Sequence, residues 1–510
     1  MLNEPKLEAT DEQVRIKEII DNTNDNLLIN AYAGSGKTTT LKMAMPDEPS
    51  LYLAFNKRIV EDAELERKEV AKTGEGTCFA KNVDIRTLNS LGHRVWGTTV
   101  GKAIILSRNG RPCKMQDIFS ATVNQLEGDD KKEARDSYFE VMDAISKAKA
   151  LGYIPEGKYE NGDHTLIDKE TFHKRLDEKP TAFISWLVDD ILCTSIKVAY
   201  EGGLDFNDQV YMPGLFGGAF PRYPFIGVDE AQDLNPVNHA LLHRLVTDRV
   251  SAVGDRWQSI YAFRGAVTDG MDRLRDKFSM VEADLSVSFR CPRAIVEAAR
   301  FRAPKLKWVK DGGEIQVLRS LSPRDFLDGV DDKGKQLSAI ICRNNAPLFR
   351  LAFSLLREGR SVSVAGSDLG PRILNILKKM GDDDMPKASV IAAIEDWRDN
   401  KLSTSQAPQS INDMADCMRI FAEQGSKLCH AVAYVQHLFS QKGTLYLTTG
   451  HKAKGLEWDY VYHLDPNLIG EQEEQELNLR YVIITRAKKS LFEISSKELS
   501  WIRKDDDSWA

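Results

Sequence analysis

Short, nearly unbroken apolar runs punctuate the first part of the chain: Leu27–Ala33, Leu51–Asn56, Val83–Leu88, Phe225–Glu230 and Val250–Gly254. Continuous rather than alternating apolarity predicts strands buried on both faces, as in a parallel sheet. Each run is followed by a loop and a stretch with helical spacing, the alternation of a doubly wound α/β domain. A second set, Gly313–Leu318, Leu337–Cys342, Ser361–Ala365, Gly443–Thr448, Tyr460–Leu464 and Leu491–Ser495, predicts a second α/β domain. Two stretches break the alternation. Residues 95–200 are helical in pattern (Lys131–Ala150, Thr171–Tyr200) and read as an inserted subdomain. Residues 370–440 are also helix-rich and contain a linker-like segment, Ser403–Ser410. No motif repeats internally, and the tail Lys504–Ser508 is expected to fray.

Composition changes this picture little. A chain of 510 residues calls for several domains, and 42% apolar residues suffice for large cores. The net charge of −7 argues against a uniformly basic surface, but nucleic-acid binding depends on where positive charge sits. Residues 76–116 carry Lys81, Arg86, Arg94, Lys102, Arg108, Arg111 and Lys114 against Asp84 alone, apart from Glu75 just before them. That run is either a nucleic-acid-facing surface or an ordinary solvated face. Seven dispersed cysteines, without a CxxC or a Cys/His cluster, read as reduced thiols of a cytosolic-type compartment. No secretory signal and no apolar run near the ~20 residues of a membrane span is expected.

The chemistry lies in two segments. After the first apolar run come Ala33, Gly34, Ser35, Gly36, Lys37, Thr38 and Thr39, and then a helical pattern to Met45. A strand, a small-residue turn and a helix start direct backbone N–H groups and the helix dipole at a phosphate. Lys37 would reach the β/γ-phosphates, and the Thr38 hydroxyl would bind Mg²⁺. Ala31 stands where the pattern commonly has its first Gly. The second segment, Asp229-Glu230-Ala231-Gln232-Asp233, puts carboxylates at the end of an apolar strand. Asp229 would hold Mg²⁺ and Glu230 would polarise the attacking water.

This segment and three others resemble the UvrD/Rep-like superfamily 1 helicases: Gly254–Ala266, Thr449–Trp458 and Asn478–Ala487. The likeness runs from about residue 8 to 495. Ala54-Phe55-Asn56-Lys57 and Leu204–Gln209 point to the branch of F-box helicases and their phage and bacterial relatives, although no F-box is recognisable. The resemblance implies two RecA-like P-loop NTPase domains with helical inserts. Domain 1A would comprise 1–94 and 201–282 around insert 1B (95–200), and domain 2A 283–368 and 441–510 around a reduced insert 2B (369–440). It also implies ATP and Mg²⁺ as cofactors. Gln13 would read adenine, Phe289 would stack on it, and Arg290 and Arg486 would contact the γ-phosphate from the second domain. Gln258 would sense that phosphate, and Glu457 would touch ribose or phosphate.

Single strands are held by stacking and by phosphate contacts. The resemblance assigns these roles to Phe55, Asn56, Thr87, Asn89, Tyr261, Phe263 and Arg264, with His451 coupling the two sites. Trp257 is either a further platform or a core residue. The expected activity is a DNA helicase or translocase moving 3′ to 5′ on single-stranded DNA and acting at single-/double-strand junctions. A monomeric motor is expected, working with replication or recombination proteins and with no membrane. It would act in the cytoplasm of a bacterial or phage-infected cell, or in a eukaryotic nucleus. The alternatives are a translocase that strips proteins from DNA with little unwinding, and a nucleotide-gated DNA-binding scaffold.

Overall fold

The computed structural model describes residues 9–74, 76–108, 110–156, 165–260, 269–366, 369–403 and 408–502. The chain forms two compact units, residues 1–32 with 36–286, and residues 33–35 with 287–510.

The first unit is built on β1 (Leu27–Ala31), β2 (Ser50–Ala54), β3 (Val83–Thr87), β4 (Phe225–Val228), β5 (Arg249–Gly254) and β6 (Val281–Leu285). They form one six-stranded sheet in the order β6-β1-β5-β4-β2-β3, parallel throughout. Helices Asp11–Asn22, Lys37–Ala44 and Lys57–Thr73 cover one face, burying Ile16, Leu41 and Ala63 against Leu27, Ile29 and Tyr52. The other face packs Leu28, Leu51, Leu53 and Val228 against Leu88–Val100, Pro236–Leu245 and the helices inserted between β3 and β4. Alternate side chains of one strand thus serve two cores, which is why the runs read as continuous. β6 escapes the sequence reading. Val281 and Glu282 are exposed on this edge strand, so its pattern lacks the apolar continuity of its neighbours.

In the insert, the helix expected over Lys131–Ala150 is two helices, Gly128–Asp136 and Tyr138–Leu151, because Ser137 leaves helical geometry. The expected Thr171–Tyr200 helix is also divided, into Lys169–His173 and Ala182–Tyr200. The hydroxyl of Thr181, directly after Pro180, caps the second by accepting from Ile184 N.

The second unit repeats the plan. Strands β7 (Glu314–Leu318), β8 (Ser338–Cys342), β9 (Val362–Val364), β10 (Leu445–Thr449), β11 (Trp458–Leu464) and β12 (Ala487–Ile494) form a parallel sheet in the order β7-β12-β11-β8-β10-β9. Between β9 and β10 run helices Leu369–Leu377, Lys387–Leu402, Pro408–Glu423 and Leu428–Ser440, whose apolar faces join the same core as Ile340 and Leu447. The linker-like Ser403–Ser410 is partly helical, since Pro408 begins a helix, and residues 404–407 lie outside the described ones. The architecture is α/β, two sheets of RecA-like plan with helical inserts. Among the described residues no helix is long and apolar enough to cross a membrane.

Candidate nucleotide site

Strand order places the site. β1, β5 and β4 are neighbours in the sheet, and the carboxyl ends of such strands are where α/β folds bind ligands. β1 leads into the small-residue loop and helix Lys37–Ala44, β4 into Asp229 and Glu230, and β5 into Asp255–Gln258. Gly34 and Gly36 have φ of 73° and 77°, a left-handed backbone that β-carbon-bearing residues resist. The Gly36 conformation turns the chain into the helix whose first residue is Lys37.

Three segments of the first unit meet in one hydrogen-bonded line. Lys37 Nζ lies 3.1 Å from Glu230 Oε2. Gln232 Nε2 donates to the same oxygen at 2.6 Å, Asp255 N donates to Gln232 Oε1 at 2.9 Å, and Gln258 Nε2 donates to Asp255 Oδ2 at 2.7 Å. Glu230 is therefore joined to Gln258 through two groups the sequence reading left without roles, the Gln232 amide and the Asp255 carboxylate. Burial works to lower the Lys37 pKa, but the carboxylates of Glu230, Asp255 and Asp229 outweigh it and hold the ammonium above its ordinary range. Asp229 is raised, first by burial and then by the charge of Glu230. Its Oδ2 accepts from Thr38 Oγ1 at 2.8 Å and from Tyr52 Oη at 2.6 Å.

A hydroxyl bonded to a buried carboxylate, beside a lysine at a helix start, is a hard oxygen donor set that fits Mg²⁺ with a phosphate. Ser35 Oγ is buried without a hydrogen-bond partner among the described residues, a polar atom suited to a ligand in the loop. Thr39 is exposed on the helix's first turn. The amide of Gln13 is engaged at both ends: Oε1 accepts from Thr10 N at 3.0 Å, and Nε2 donates to Thr40 Oγ1 at 3.0 Å.

In the second unit, Arg290 Nε and Glu457 Oε2 pair at 2.5 Å, bringing two expected site residues together. Burial opposes ionisation of Glu457, yet the Arg290 charge holds its carboxyl below the usual range. Arg486 is 1% exposed; its Nε donates to Val482 O at 2.9 Å and its Nη1 to Leu456 O at 3.1 Å. Ala33 and Gly34 group with this unit: Phe289 N donates to Gly34 O at 2.9 Å and Ser288 Oγ to Ala33 O at 2.8 Å.

The model of the UvrD/REP helicase N-terminal domain matches residues 12–279, more than half of the chain. The chain belongs to the UvrD/REP helicase family. The model of the UvrD-like helicase C-terminal domain matches residues 444–492 of this UvrD/REP chain. It is 25% identical over 530 residues to F-box DNA helicase protein 1 of Schizosaccharomyces pombe, covering 94% of this chain and 57% of that protein. It is 26% identical to F-box DNA helicase 1 of Gallus gallus (98% of this chain, 50% of that one). It is 25% identical to the ATP-dependent DNA helicase PcrA of Bacillus subtilis (69% and 50%). The chain thus spans about half the length of the curated relatives it matches.

The candidate strand-binding residues of this UvrD/REP chain have unequal settings. Phe55 is 43% exposed after β2. Asn56 and Thr87 are helix N-caps, accepting from Ile59 N at 3.0 Å and Ser90 N at 3.1 Å, a structural duty the sequence reading did not assign them. Asn89 Nδ2 donates to the carbonyl of Phe206 at 2.9 Å, and Phe206 is 63% exposed. Phe206 lies within the Leu204–Gln209 segment that points to the branch, and an aromatic among Asp and Asn is itself a signal of an exposed contact. His451 lies in the short helix Gly450–Ala453 that follows β10. Half-buried Trp257 accompanies Gln258 in a single helical turn. Tyr261, Phe263 and Arg264 lie outside the described residues.

Proposed function

We propose that the protein is an ATP-dependent DNA motor that translocates 3′ to 5′ on single-stranded DNA and separates strands at junctions. The observation that carries the reading is the continuous line Lys37–Glu230–Gln232–Asp255–Gln258 along neighbouring strand ends. It links the residue expected at the phosphates to the residue expected to sense them, beside a hydroxyl–carboxylate pair fit for a metal. The family, and relatives that are DNA helicases by name, support DNA as the substrate. The 3′-to-5′ polarity rests on the sequence resemblance.

Lys37 would exchange its bond to Glu230 for the phosphates and offset their charge. The freed Glu230 carboxylate would orient a water and take its proton. Gln258, hydrogen-bonded to Asp255, would report phosphate occupancy back to Gln232 and Glu230. Thr38 and Asp229 would hold Mg²⁺, which neutralises charge on the transferring group. Arg290 and Arg486 would add positive charge at the γ-phosphate. Phe55, Phe206 and the undescribed Tyr261 and Phe263 would offer flat faces to bases, each contributing about 1–3 kcal/mol.

The test is ATP hydrolysis with and without single-stranded DNA, with single-stranded RNA for comparison and Lys37→Ala as the blank. Strong stimulation by DNA that disappears in the variant is expected. Turnover indifferent to either nucleic acid would reject a coupled motor. Tailed duplexes then decide polarity, because unwinding from 5′ tails alone would overturn the stated direction.

A further inference from the structure

Tyr52 sits in the middle of β2, fully buried, among Leu51, Leu53 and Ala54. A phenol there is costly unless its hydroxyl is bonded, because an unpaired buried hydroxyl forfeits its hydration. Its partner is Asp229, on the neighbouring strand end. β2 and β4 run parallel with Tyr52 opposite Gly227 and Leu53 opposite Val228, so Tyr52, Gly227 and Asp229 share a face. Gly227 presents no side chain, and the phenol reaches along the strand to the carboxylate. Phe79 packs against the ring, centroids 4.3 Å apart, which fixes its orientation.

The hydrogen-bond count at Asp229 is specific. Each carboxylate oxygen has two acceptor positions. Oδ2 receives Tyr52 Oη at 2.6 Å and Thr38 Oγ1 at 2.8 Å, and Oδ1 receives Glu230 N at 2.9 Å. Among the described residues, donors fill three of the four positions, and both oxygens are tied. We infer that Tyr52 is a positioning residue of the metal site: its hydroxyl, with that of Thr38, locks the Asp229 carboxylate so that the remaining acceptor position is preset for a divalent cation or its water. Partners behind a metal-binding carboxylate typically change metal affinity or activity by about 10–100-fold when removed.

The inference rests on the nucleotide–Mg²⁺ reading of the site, and the experiment separates the two. Tyr52→Phe keeps the ring against Phe79 and removes one oxygen. Mn²⁺ binding to the full chain saturated with ADP is followed by electron paramagnetic resonance, and metal-free ADP binding by calorimetry. Expected is an affinity for Mn²⁺ about 10-fold lower in the variant, with metal-free ADP affinity retained. The Mg²⁺ concentration for half-maximal ATP turnover should rise by the same factor, with turnover recovered at saturating Mg²⁺. A purely structural role would lower both affinities together and leave the Mg²⁺ midpoint in place; that result overturns the inference. Equal Mn²⁺ affinity in both proteins also overturns it while leaving the site reading intact. Failure of the unaltered protein to bind Mn²⁺ with ADP removes both.

Discussion

Glu230 shows what a single position can carry. Its φ of 52° is left-handed, an arrangement rare for a side chain with a β-carbon and characteristic of functional sites. Its carboxylate meets Lys37 and Gln232. Glu230→Gln keeps the shape and removes the proton acceptor. Single-turnover hydrolysis should slow by about 10²–10⁴-fold with ADP affinity preserved; a rate within a few-fold of the parent would exclude Glu230 as the base. Asn56 poses a different question at the same scale, since its side chain already caps a helix. Asp caps as well as Asn but repels phosphate. Asn56→Asp should leave the urea midpoint unchanged and weaken single-stranded DNA binding at low salt. Undiminished binding would leave Asn56 as a cap alone. Lys37, Thr38, Asp229 and Glu230 were legible as candidates because their motifs are local, and the structure brings them together. The strained backbone of Glu230 and the capping by Asn56 and Thr87 were not, because they depend on what surrounds each residue.

The turn after Leu204 is an element defined by buried charge. Asp205 N donates to Asp208 Oδ2 and Asp208 N to Asp205 Oδ1, both at 2.8 Å, closing the turn on itself. Two lysines from inserted helices neutralise it: Lys149 Nζ reaches Asp205 at 2.5 Å and Asp208 at 2.6 Å, and Lys114 Nζ reaches Asp208 at 2.6 Å. Burial opposes both ammonium charges. It prevails at Lys114, which has one carboxylate partner and Lys149 nearby, whereas the two carboxylates prevail at Lys149. The turn carries exposed Phe206. Lys149→Met would leave a buried, uncompensated carboxylate and should cost about 3–5 kcal/mol in urea unfolding. A loss below about 1 kcal/mol would mean that the network contributes nothing beyond packing. Lys114 belonged to the basic run 76–116, read as either of two surfaces; it is in neither, being 1% exposed. A charged residue signals exposure in sequence, and only its partner 94 residues away reverses that.

At the scale of the whole molecule, each unit buries a neutral histidine. His239 is 6% exposed and His463 1%, and among the described residues neither ring nitrogen of either has a hydrogen-bond partner. Burial lowers His239 to about 4, helped by His243 and Arg273 against Asp269, and lowers His463 to about 3, with Arg480 adding to the effect. The unfolded chain takes up these protons near pH 6.5 and the folded chain does not. Stability is therefore complete above pH 6.5 and falls as the pH drops toward the folded values, by about 1.4 kcal/mol per pH unit for each histidine. Urea unfolding at pH 7.5 and 5 should differ by about 2 kcal/mol for each unit from this source. His463→Gln should flatten the dependence, and an unchanged slope would assign acid sensitivity elsewhere. The sequence by itself determined the strands other than β6 and the order in which the motifs follow, since apolar runs, turn glycines and helix starts act over a few residues. It also determined the family, because four ordered motifs suffice. The tertiary structure alone decided neighbourhood. The order β6-β1-β5-β4-β2-β3 brings Thr38 to Asp229 across 191 residues and Tyr52 to the same carboxylate across 177. Local propensity cannot specify such pairs. They arise because a buried polar group must bond to whichever partner the packed sheet sets beside it.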